Sequence, residues 1–170
     1  GSEGERGLCS KLADMIEIRS AERADMKAVH GLITELAAYE KEPDAVLITV
    51  EDLERHGFDQ KRFECFVAED STIKTVVGMA LFYERYSTWK GPTVHLEDLY
   101  IQPTYRKSGL GKLLFDRVVK AAAQRNAGRM EWTVLEWNEP AITFYNKYDA
   151  NLDPEWHLGT LSQEQIQRFL

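Results

Sequence analysis

The order of strand-like and helix-like segments in this sequence predicts one mixed α/β (α+β) domain. A chain of 170 residues has the usual length of one domain with a sizeable core. Segments with strand and helix periodicity follow one another in the order βααβββαβαβ, and neither a linker nor an internal repeat separates them. We therefore expect residues 15–170 to form a single domain. Residues 1–14 are rich in Gly, Ser and charge and are expected to be a disordered tail, whose Gly1 and Ser2 resemble an expression scar.

The first half of the chain predicts one strand and two helices. Residues 15–19 alternate between apolar and polar side chains, which is typical of a strand. Apolar residues then recur at helical spacing from about 24 to 40, and Pro43 ends that helix. Thr49, followed by two acidic residues, predicts the start of a short helix that stops at Gly57.

The second half predicts five strands and two helices. The strand-like segments are rich in β-branched and aromatic residues; they are residues 63–69, 75–86, 94–101, 130–137 and 156–161. A long helix begins near Leu110 and fades near Gly128, and a shorter one follows Asn138.

The charge balance excludes some classes of partner. The chain has 21 Lys and Arg against 28 Asp and Glu, a net charge of -7, and no cluster of basic residues. This disfavours nucleic acid and favours a cationic partner. No apolar run reaches the roughly 20 residues of a membrane helix, and two cysteines (Cys9 and Cys65) form no disulfide framework. We expect a cytoplasmic protein without membrane contact, with Cys65 as a structural thiol. The four histidines lack metal-ligand spacing, so no metal site is predicted.

A glycine-containing segment between a predicted strand and the long helix suits phosphate. Its residues are Arg106, Lys107, Ser108, Gly109, Leu110, Gly111 and Lys112. Glycines allow the backbone N–H groups to approach a ligand, and a helix N-terminus adds partial positive charge. An ordinary strand-to-helix turn is the alternative. A Walker loop would need Gly in place of Arg106, and a dinucleotide fingerprint would need Gly in place of Leu114.

Two further segments carry candidate chemistry. Glu97 and Asp98 follow one another in a predicted strand, so they should face opposite ways and at least one should point into a covered side or a cleft. An ion-paired structural acid or an edge-strand surface residue is the alternative. Asn138 can cap a helix with Pro140 in its first turn, and Tyr145 is then either functional or a half-buried aromatic.

Taken together, the acid-bearing strand, the R-x-x-G-x-G loop and the N-x-x-A-x-x-F-Y helix resemble the GNAT superfamily of acetyl-CoA-dependent N-acetyltransferases. The resemblance covers about residues 15 to 165. It narrows to the diamine (spermidine/spermine) acetyltransferase family, on the segments ITELAAYEK (33–41), STWKG (87–91), LEDLYI (96–101), YRKSGLG (105–111) and WNEPAITFY (137–145). Ser87 stands where spermidine/spermine enzymes have an acidic residue, which is similar to the thialysine-acetylating branch. Lys107 and Asp149 stand where the family often has Gly.

The resemblance implies a central mixed, mostly antiparallel sheet flanked by helices, with acetyl-CoA as cosubstrate. It assigns the pantetheine arm to the backbone of Leu99, Tyr100 and Ile101, and the pyrophosphate to the N–H groups of residues 107–112, with Arg106 and Lys112 adding charge. Further cofactor contacts are implied for Asn138, Glu139, Pro140, Ala141 and Tyr145.

For catalysis the resemblance implies that Glu97 is the general base, acting through water, and that Tyr145 is the general acid beside the sulfur. Implied binding residues for a small cationic amine are Tyr39, Glu40, Trp89, Glu97, Asp98, Glu131, Trp132 and Thr133. Tyr39 and Glu40 are alternatively an exposed helix end, and Trp132 a core residue. The expected function is transfer of acetyl to a primary amine of a thialysine- or lysine-like molecule, a diamine or a polyamine, by a homodimer. A protein or peptide N-acetyltransferase and a non-catalytic acyl-CoA-binding module are the alternatives.

Overall fold

The structure is a computed structural model that describes residues 14–170. The predicted tail, with Gly1, Ser2 and Cys9, lies outside the described residues except for Asp14. The chain divides into two compact units, one ending at Thr133 and one from Val134 to Leu170. That residues 15–170 form one domain stays a prediction.

A five-stranded sheet lies in the first unit. Its strands are β1 (Ile16–Ser20), β2 (Glu64–Asp70), β3 (Thr75–Ser87), β4 (Gly91–Ile101) and β5 (Arg129–Glu131). They lie side by side in the order β1-β2-β3-β4-β5. The first three pairings are antiparallel and the last, between β4 and β5, is parallel. The mostly antiparallel mixed sheet that the family resemblance implied is therefore confirmed.

α-Helices in the described part of the first unit pack on the sheet. They are α1 (Met26–Tyr39), α2 (Val50–Glu54) and α3 (Leu110–Gln124). α1 packs Met26, Val29 and Leu32 into a core with side chains of β2, β3 and β4. α3 covers the other face, where Leu114 lies beside Gly78 of β3. α1 and α3 thus pack the apolar stripe that their periodicity predicted against the sheet, except that Leu113 of α3, expected in that stripe, is 49% exposed.

Helix α2 begins as predicted but ends earlier. Thr49 is its N-cap: the hydroxyl accepts from the Asp52 N–H at 3.1 Å, and the Asp52 carboxylate accepts from the Thr49 N–H at 2.9 Å. This reciprocal pair is a capping box. The α-helical hydrogen bonding gives way to a wider π-type turn at Arg55–Asp59, which contains the predicted stop at Gly57.

The interior cysteine behaves as a structural residue. Cys65 lies in β2 within the core around α1. Burial raises the pKa of its thiol to about 12. The group therefore stays protonated near neutral pH and is a poor nucleophile, because the thiolate is the reactive form.

Two predicted strands differ from the structure. The strand expected over 130–137 is Arg129–Glu131, because the chain turns before Asn138: the N–H of Asn138 donates to Leu135 O at 3.0 Å. The strand expected over 156–161 is irregular and exposed. A strand needs a ladder partner, and the described residues of the second unit contain only helices, α4 (Glu139–Asn146) and α5 (Gln163–Gln167).

The hairpin between β3 and β4 meets the start of β5 through a glycine. The Gly128 N–H donates to Pro92 O at 2.8 Å. A Cβ on Gly128 would lie 1.8 Å from Lys90 O, so only glycine fits there. At the hairpin tip, the Ser87 hydroxyl accepts from the N–H groups of Trp89 and Lys90 at 3.2 and 3.1 Å.

No helix among residues 14–170 combines the length and apolar character required to cross a membrane.

Candidate active site

A break in the β3–β4 ladder places two adjacent acids at one cavity. Leu81 pairs with Asp98 and Phe82 pairs with Leu96, so Glu97 is an extra residue in β4. Such a bulge interrupts the alternation of side chains. The expectation that Glu97 and Asp98 face opposite ways is therefore wrong, because both line a cavity of about 380 Å³. Its lining is Ile33, Ile48, Leu53, His56, Arg62, Phe63, Leu81, Tyr83, Glu97 and Asp98.

Two neighbours hold the Glu97 carboxylate in its ionised form. The Tyr83 hydroxyl donates to Glu97 Oε2 at 3.1 Å, and His95 Nε2 lies 3.4 Å from the same oxygen. These contacts, that of His95 foremost, lower the pKa of Glu97 against the opposing effect of burial. An ionised, oriented carboxylate is suited to accept a proton.

The pKa of Asp98 is shifted in the opposite direction to that of Glu97. Burial, together with the negative charges of Glu97 and Glu40, raises the pKa of Asp98 to about 6. Burial also raises the pKa of Glu40, the C-cap residue that directly follows α1. Three of the predicted amine-binding acids thus form one electrostatically coupled group. A cationic ligand would favour ionisation of all three.

Glu131 lies in a different cluster from these acids. Its carboxylate pairs with Arg85 at 2.6 Å and with Arg129 at 3.2 Å, and it accepts a contact from His95 Nδ1 at 3.2 Å. Because two guanidinium groups balance its charge, Glu131 is poorly placed to attract an ammonium group. Its predicted role in binding the amine has no support from these contacts and stays a prediction.

The remaining predicted amine-binding residues have varied surroundings. The Tyr39 ring packs under the Arg106 guanidinium, 5.4 Å from ring centroid to Cζ. Trp89 is 79% exposed in the hairpin turn and is not among the cavity-lining residues. Trp132 packs edge-on against Phe115 at 5.3 Å, as its core alternative implied, and Thr133 is exposed.

The beginning of α3 has the backbone that an anion requires. Gly109 is the N-cap with φ 83°, in the left-handed region that favours glycine. A Cβ on Gly109 or Gly111 would meet nothing within 4 Å, so the space beside this backbone is open. The first N–H groups of a helix lack intrahelical acceptors, and these belong to Leu110, Gly111 and Lys112. These features agree with the predicted contact of residues 107–112 with the pyrophosphate, which stays a prediction.

The three residues before Gly109 shape this turn. Arg106 donates from Nε to Ile101 O at 3.0 Å and lies 5.4 Å over the Tyr100 ring. Lys107 adopts φ 64°, so this position keeps the left-handed backbone although it holds Lys instead of Gly. The Ser108 hydroxyl donates to Tyr105 O. Arg106 thus joins β4 to the loop, and its predicted contribution of charge at the phosphates stays a prediction.

One edge of β4 is left uncovered where the pantetheine arm is expected. β5 pairs with β4 only from Thr93 to His95, whereas β4 continues to Ile101. Within the described residues, no strand covers that edge beside Leu99, Tyr100 and Ile101. This agrees with the predicted pantetheine contact and leaves it a prediction.

The second unit contains the predicted Asn138 motif. The Asn138 side chain caps α4 by accepting from the Ala141 N–H at 3.4 Å, and Glu139 and Pro140 form the first turn. Tyr145 is buried and packs against Phe144, with ring centroids 5.3 Å apart. The capped helix is confirmed. The cofactor and catalytic roles of its residues stay predictions.

Four polar residues of this region were missed in the sequence. His95 lies two residues before Glu97, and a strand places residues at that spacing on one face, so a signal existed. Tyr83 is the cross-strand partner of His95, which a register could have indicated. His56 and Arg62 reach the cavity from the segment around the π-type turn, for which no periodicity applies. Among residues 14–170, no group of three His, Cys, Asp or Glu side chains is arranged to hold a metal.

Comparison with known proteins identifies the family. The model of the acetyltransferase (GNAT) family matches residues 30–149. Thialysine N-epsilon-acetyltransferase of Bos taurus is 37% identical over 164 residues, which cover 91% of this chain and 96% of that protein. The protein of the same name from Caenorhabditis elegans is 40% identical over 145 residues, covering 82% and 87%.

A solved structure has the same fold. The crystal structure of an aminoglycoside acetyltransferase from an uncultured soil metagenomic sample, in complex with trehalose, superposes with a TM-score of 0.74. It covers 89% of this chain and 99% of that chain at 18% sequence identity. The chain belongs to the acetyltransferase (GNAT) family of transferases, whose acetyl donor is acetyl-CoA.

Proposed function

We propose that this enzyme acetylates the primary amine of a small cationic molecule with a lysine-like skeleton, with Glu97 as general base and Tyr145 as general acid. The observation that carries the proposal is the bulge in β4, which brings Glu97 and Asp98 to one cavity. A cavity of about 380 Å³ lies in the size range of small-molecule sites.

The acids of the cavity suit the chemistry of an amine. An ammonium group has no lone pair and must lose a proton before it can attack a carbonyl. Glu97 is held ionised and oriented by Tyr83 and His95, so it can accept that proton through a water molecule. Asp98 lines the cavity and attracts the cation to the base, and Glu40, whose charge acts on Asp98 from outside the lining, adds to the negative potential.

The donor side uses backbone N–H groups and one hydroxyl. Acetyl-CoA supplies an acetyl thioester, which the amine attacks directly. Residues 107–112 hold the pyrophosphate, and the open backbone at Gly109 and Gly111 supports this. Leu99, Tyr100, Ile101 and Asn138 contact the rest of the cofactor. Tyr145 protonates the departing thiolate and regains a proton from the newly acetylated nitrogen, which loses its second proton to form the amide.

The cavity favours a substrate that also carries a carboxylate. Arg62 and His56 line it together with Glu97 and Asp98. A guanidinium repels a second ammonium group and binds a carboxylate well. This supports an amino acid with a side-chain amine over a polyamine. The printed names of the bovine and nematode relatives, thialysine N-epsilon-acetyltransferases, agree with that preference.

A substrate panel with acetyl-CoA tests the proposal. Release of CoA is measured with thialysine, lysine, putrescine, spermidine and a peptide with a free N-terminus. We expect kcat/KM to be highest for thialysine or lysine. A preference for spermidine would overturn the substrate class, a preference for the peptide would favour a protein acetyltransferase, and binding of acetyl-CoA without turnover on any amine would favour a non-catalytic module.

Replacement of the proposed base provides the matched variant. Glu97→Gln should lower kcat by about 10²-fold or more while leaving the Kd for CoA unchanged. Glu84→Gln removes an exposed carboxylate from β3, outside the cavity, and should leave both values unchanged. Full activity of Glu97→Gln would remove Glu97 from the reaction.

We further propose that the enzyme is a homodimer of the cytoplasm. The exposed apolar side chains of the second unit support a partner: Trp156 and Leu158 are 75% and 85% exposed. Burying such side chains between two copies would remove apolar surface from water. Light scattering that gives the mass of one chain would contradict the dimer, and a tagged chain outside the cytoplasm would contradict the location.

A further inference from the structure

His95 lies between two carboxylates on neighbouring strands. Its Nε2 is 3.4 Å from Glu97 Oε2, and its Nδ1 is 3.2 Å from Glu131 Oε1. The parallel pairing of β4 with β5 places His95 and Glu131 side by side. Both ring nitrogens therefore face an acceptor, which an imidazole satisfies fully only when it carries two protons.

Other charged and titratable groups surround His95 and its two carboxylate partners. From β3, Tyr83 stacks on the imidazole with ring centroids 5.2 Å apart and donates to Glu97. Arg85 of β3 and Arg129 of β5 both pair with Glu131. The cluster is thus two carboxylates, two guanidinium groups, one phenol and the imidazole.

The Glu97 and His95 side chains differ in exposure, which sets the order in which a proton from the cavity reaches them. The Glu97 side chain is 51% exposed and lines the cavity, whereas the His95 side chain is 13% exposed behind it. A proton that leaves an amine in the cavity therefore meets Glu97 first, through the water molecule proposed above. Glu97 then lies between that proton and His95.

Glu97 alone would be a weak base. Its contacts lower its pKa, so a proton placed on it is held poorly near neutral pH. The contact with Glu97, and that with Glu131, raise the pKa of His95 above its ordinary value although burial opposes them. A general base works best when its pKa is near the operating pH, and in this pair His95 meets that condition better than Glu97.

We propose that His95 is a positioning residue of the acetyl transfer, which orients Glu97 and takes over the proton that Glu97 receives from the amine. This rests on the proposed role of Glu97. An N–H bond of the ammonium group breaks as its proton passes to the bridging water, and that water gives up a proton so that an O–H bond forms on Glu97. That O–H bond then breaks as an N–H bond forms on His95 Nε2, which restores the Glu97 carboxylate. Glu131 stabilises the resulting imidazolium through Nδ1–H, and the proton returns to water before the next turnover.

The pH dependence of kcat at saturating amine tests the proposal. An imidazolium formed before the reaction cannot accept another proton, so kcat should fall as the pH drops through the pKa of His95. His95→Gln should lower kcat at neutral pH by about tenfold or more and abolish this fall down to about pH 6. Glu131→Gln removes an anion that stabilises the imidazolium and should move the fall to lower pH by about half a unit or more.

A measurement without substrate separates this proposal from the proposed function. The imidazole resonances of His95 in the cofactor-free protein, followed by NMR against pH, should titrate at the pH where kcat falls, and both should shift together in Glu131→Gln. His157→Gln, which replaces an exposed histidine of the second unit, should leave the profile unchanged. If Glu97→Gln abolishes activity but the kcat profile of His95→Gln or Glu131→Gln matches that of the unchanged protein, the relay is wrong and Glu97 acts without it. If Glu97→Gln keeps full activity, the proposed function itself fails.

Discussion

Glu97 and Asp98 are neighbours in β4 and line the same cavity, and the negative charge of Glu97 disfavours ionisation of Asp98. The ladder skips Glu97 between the pairs that Leu81 and Phe82 make with β4. One extra residue thus converts two adjacent acids into an electrostatic pair. Their pKa values move apart: that of Glu97 is lowered and that of Asp98 is raised to about 6.

Asp98→Asn should stabilise the fold at alkaline pH. The raised pKa of about 6 means that the folded protein holds this proton more tightly than the unfolded chain, whose pKa is near 3.8. The free energy of unfolding therefore falls as the pH rises from about 4 to 6, and the loss is complete above 6. Asparagine removes this loss, so urea unfolding at pH 8 should show a gain of about 1–3 kcal/mol that shrinks towards pH 4.

The same variant should bind the amine less well. Loss of a carboxylate that contacts an ammonium group should raise KM for the amine by about tenfold. Glu97→Gln is the matched control for stability, because a lowered pKa predicts no gain from its replacement. Equal stability of Asp98→Asn and the unchanged protein at pH 8 would show that Asp98 is not electrostatically penalised.

Gly111→Ala should separate cofactor binding from folding. Gly111 lies in the first turn of α3 with open space beside it, so alanine fits the helix but projects a methyl group where the pyrophosphate is expected. The Kd for CoA should rise about tenfold or more, with no loss of stability. Gly31→Ala changes an equally open helical glycine in α1. It should raise the free energy of unfolding by about 0.5–1 kcal/mol without changing the Kd for CoA.

Isothermal calorimetry and thermal unfolding give the two quantities for the glycine pair. Unchanged CoA binding by Gly111→Ala would place the pyrophosphate elsewhere. A loss of stability in that variant would mean that a methyl group strains the first turn, contrary to the open space around it.

Lys107→Gly should stabilise the protein. Lys107 holds φ 64°, a left-handed backbone that costs a residue with a side chain about 1–2 kcal/mol. Glycine removes that cost but adds freedom to the unfolded chain, so the expected net gain in unfolding free energy is about 0.5–1 kcal/mol. Lys120→Gly is the control: the same change inside α3 should cost about 1 kcal/mol. Destabilisation by both variants would contradict the strain at Lys107.

Arg62→Gln should change the choice of substrate. The matched substrates are thialysine and bis(2-aminoethyl) sulfide, which differ only in the carboxylate. We expect KM for thialysine to rise about tenfold and KM for the diamine to stay equal or fall. Lys61→Gln removes a neighbouring charge outside the cavity lining and should change neither value. Equal effects of Arg62→Gln on both substrates would show that Arg62 does not contact the carboxylate.

Local periodicity predicted most of the fold. The strands β1 to β4 and the helices α1 and α3 follow alternating or helical patterns of apolar residues, and the caps at Thr49 and Asn138 were predicted from side-chain chemistry. The strand predicted over 156–161 does not form, because strand formation depends on a pairing partner as well as on pattern. The prediction that the strand continues over residues 132–137 is wrong for the same reason, since the parallel pairing with β4 ends at Glu131.

The sequence predicted the acids of the candidate site but not how they are arranged. A bulge leaves no mark in the polarity pattern, so Glu97 and Asp98 could not be placed at one cavity from alternation alone. Arg62 lies in an irregular segment, where its direction depends on the preceding π-type turn. The network of Glu131 required the strand register, because His95 and Glu131 are far apart in sequence and adjacent only in the sheet.

Gly128 has a consequence for how this sequence can vary. Its close approach to Lys90 and its bond to Pro92 anchor the chain just before β5, and this sets which residue of β5 comes beside His95. A slip of one residue would bring Met130 or Trp132 there in place of Glu131, and neither side chain carries the negative charge that stabilises the imidazolium. Substitutions at Gly128 are therefore expected to occur together with substitutions at the hairpin tip, where Lys90 lies, in related proteins. Neither Gly128 nor Lys90 lines the cavity.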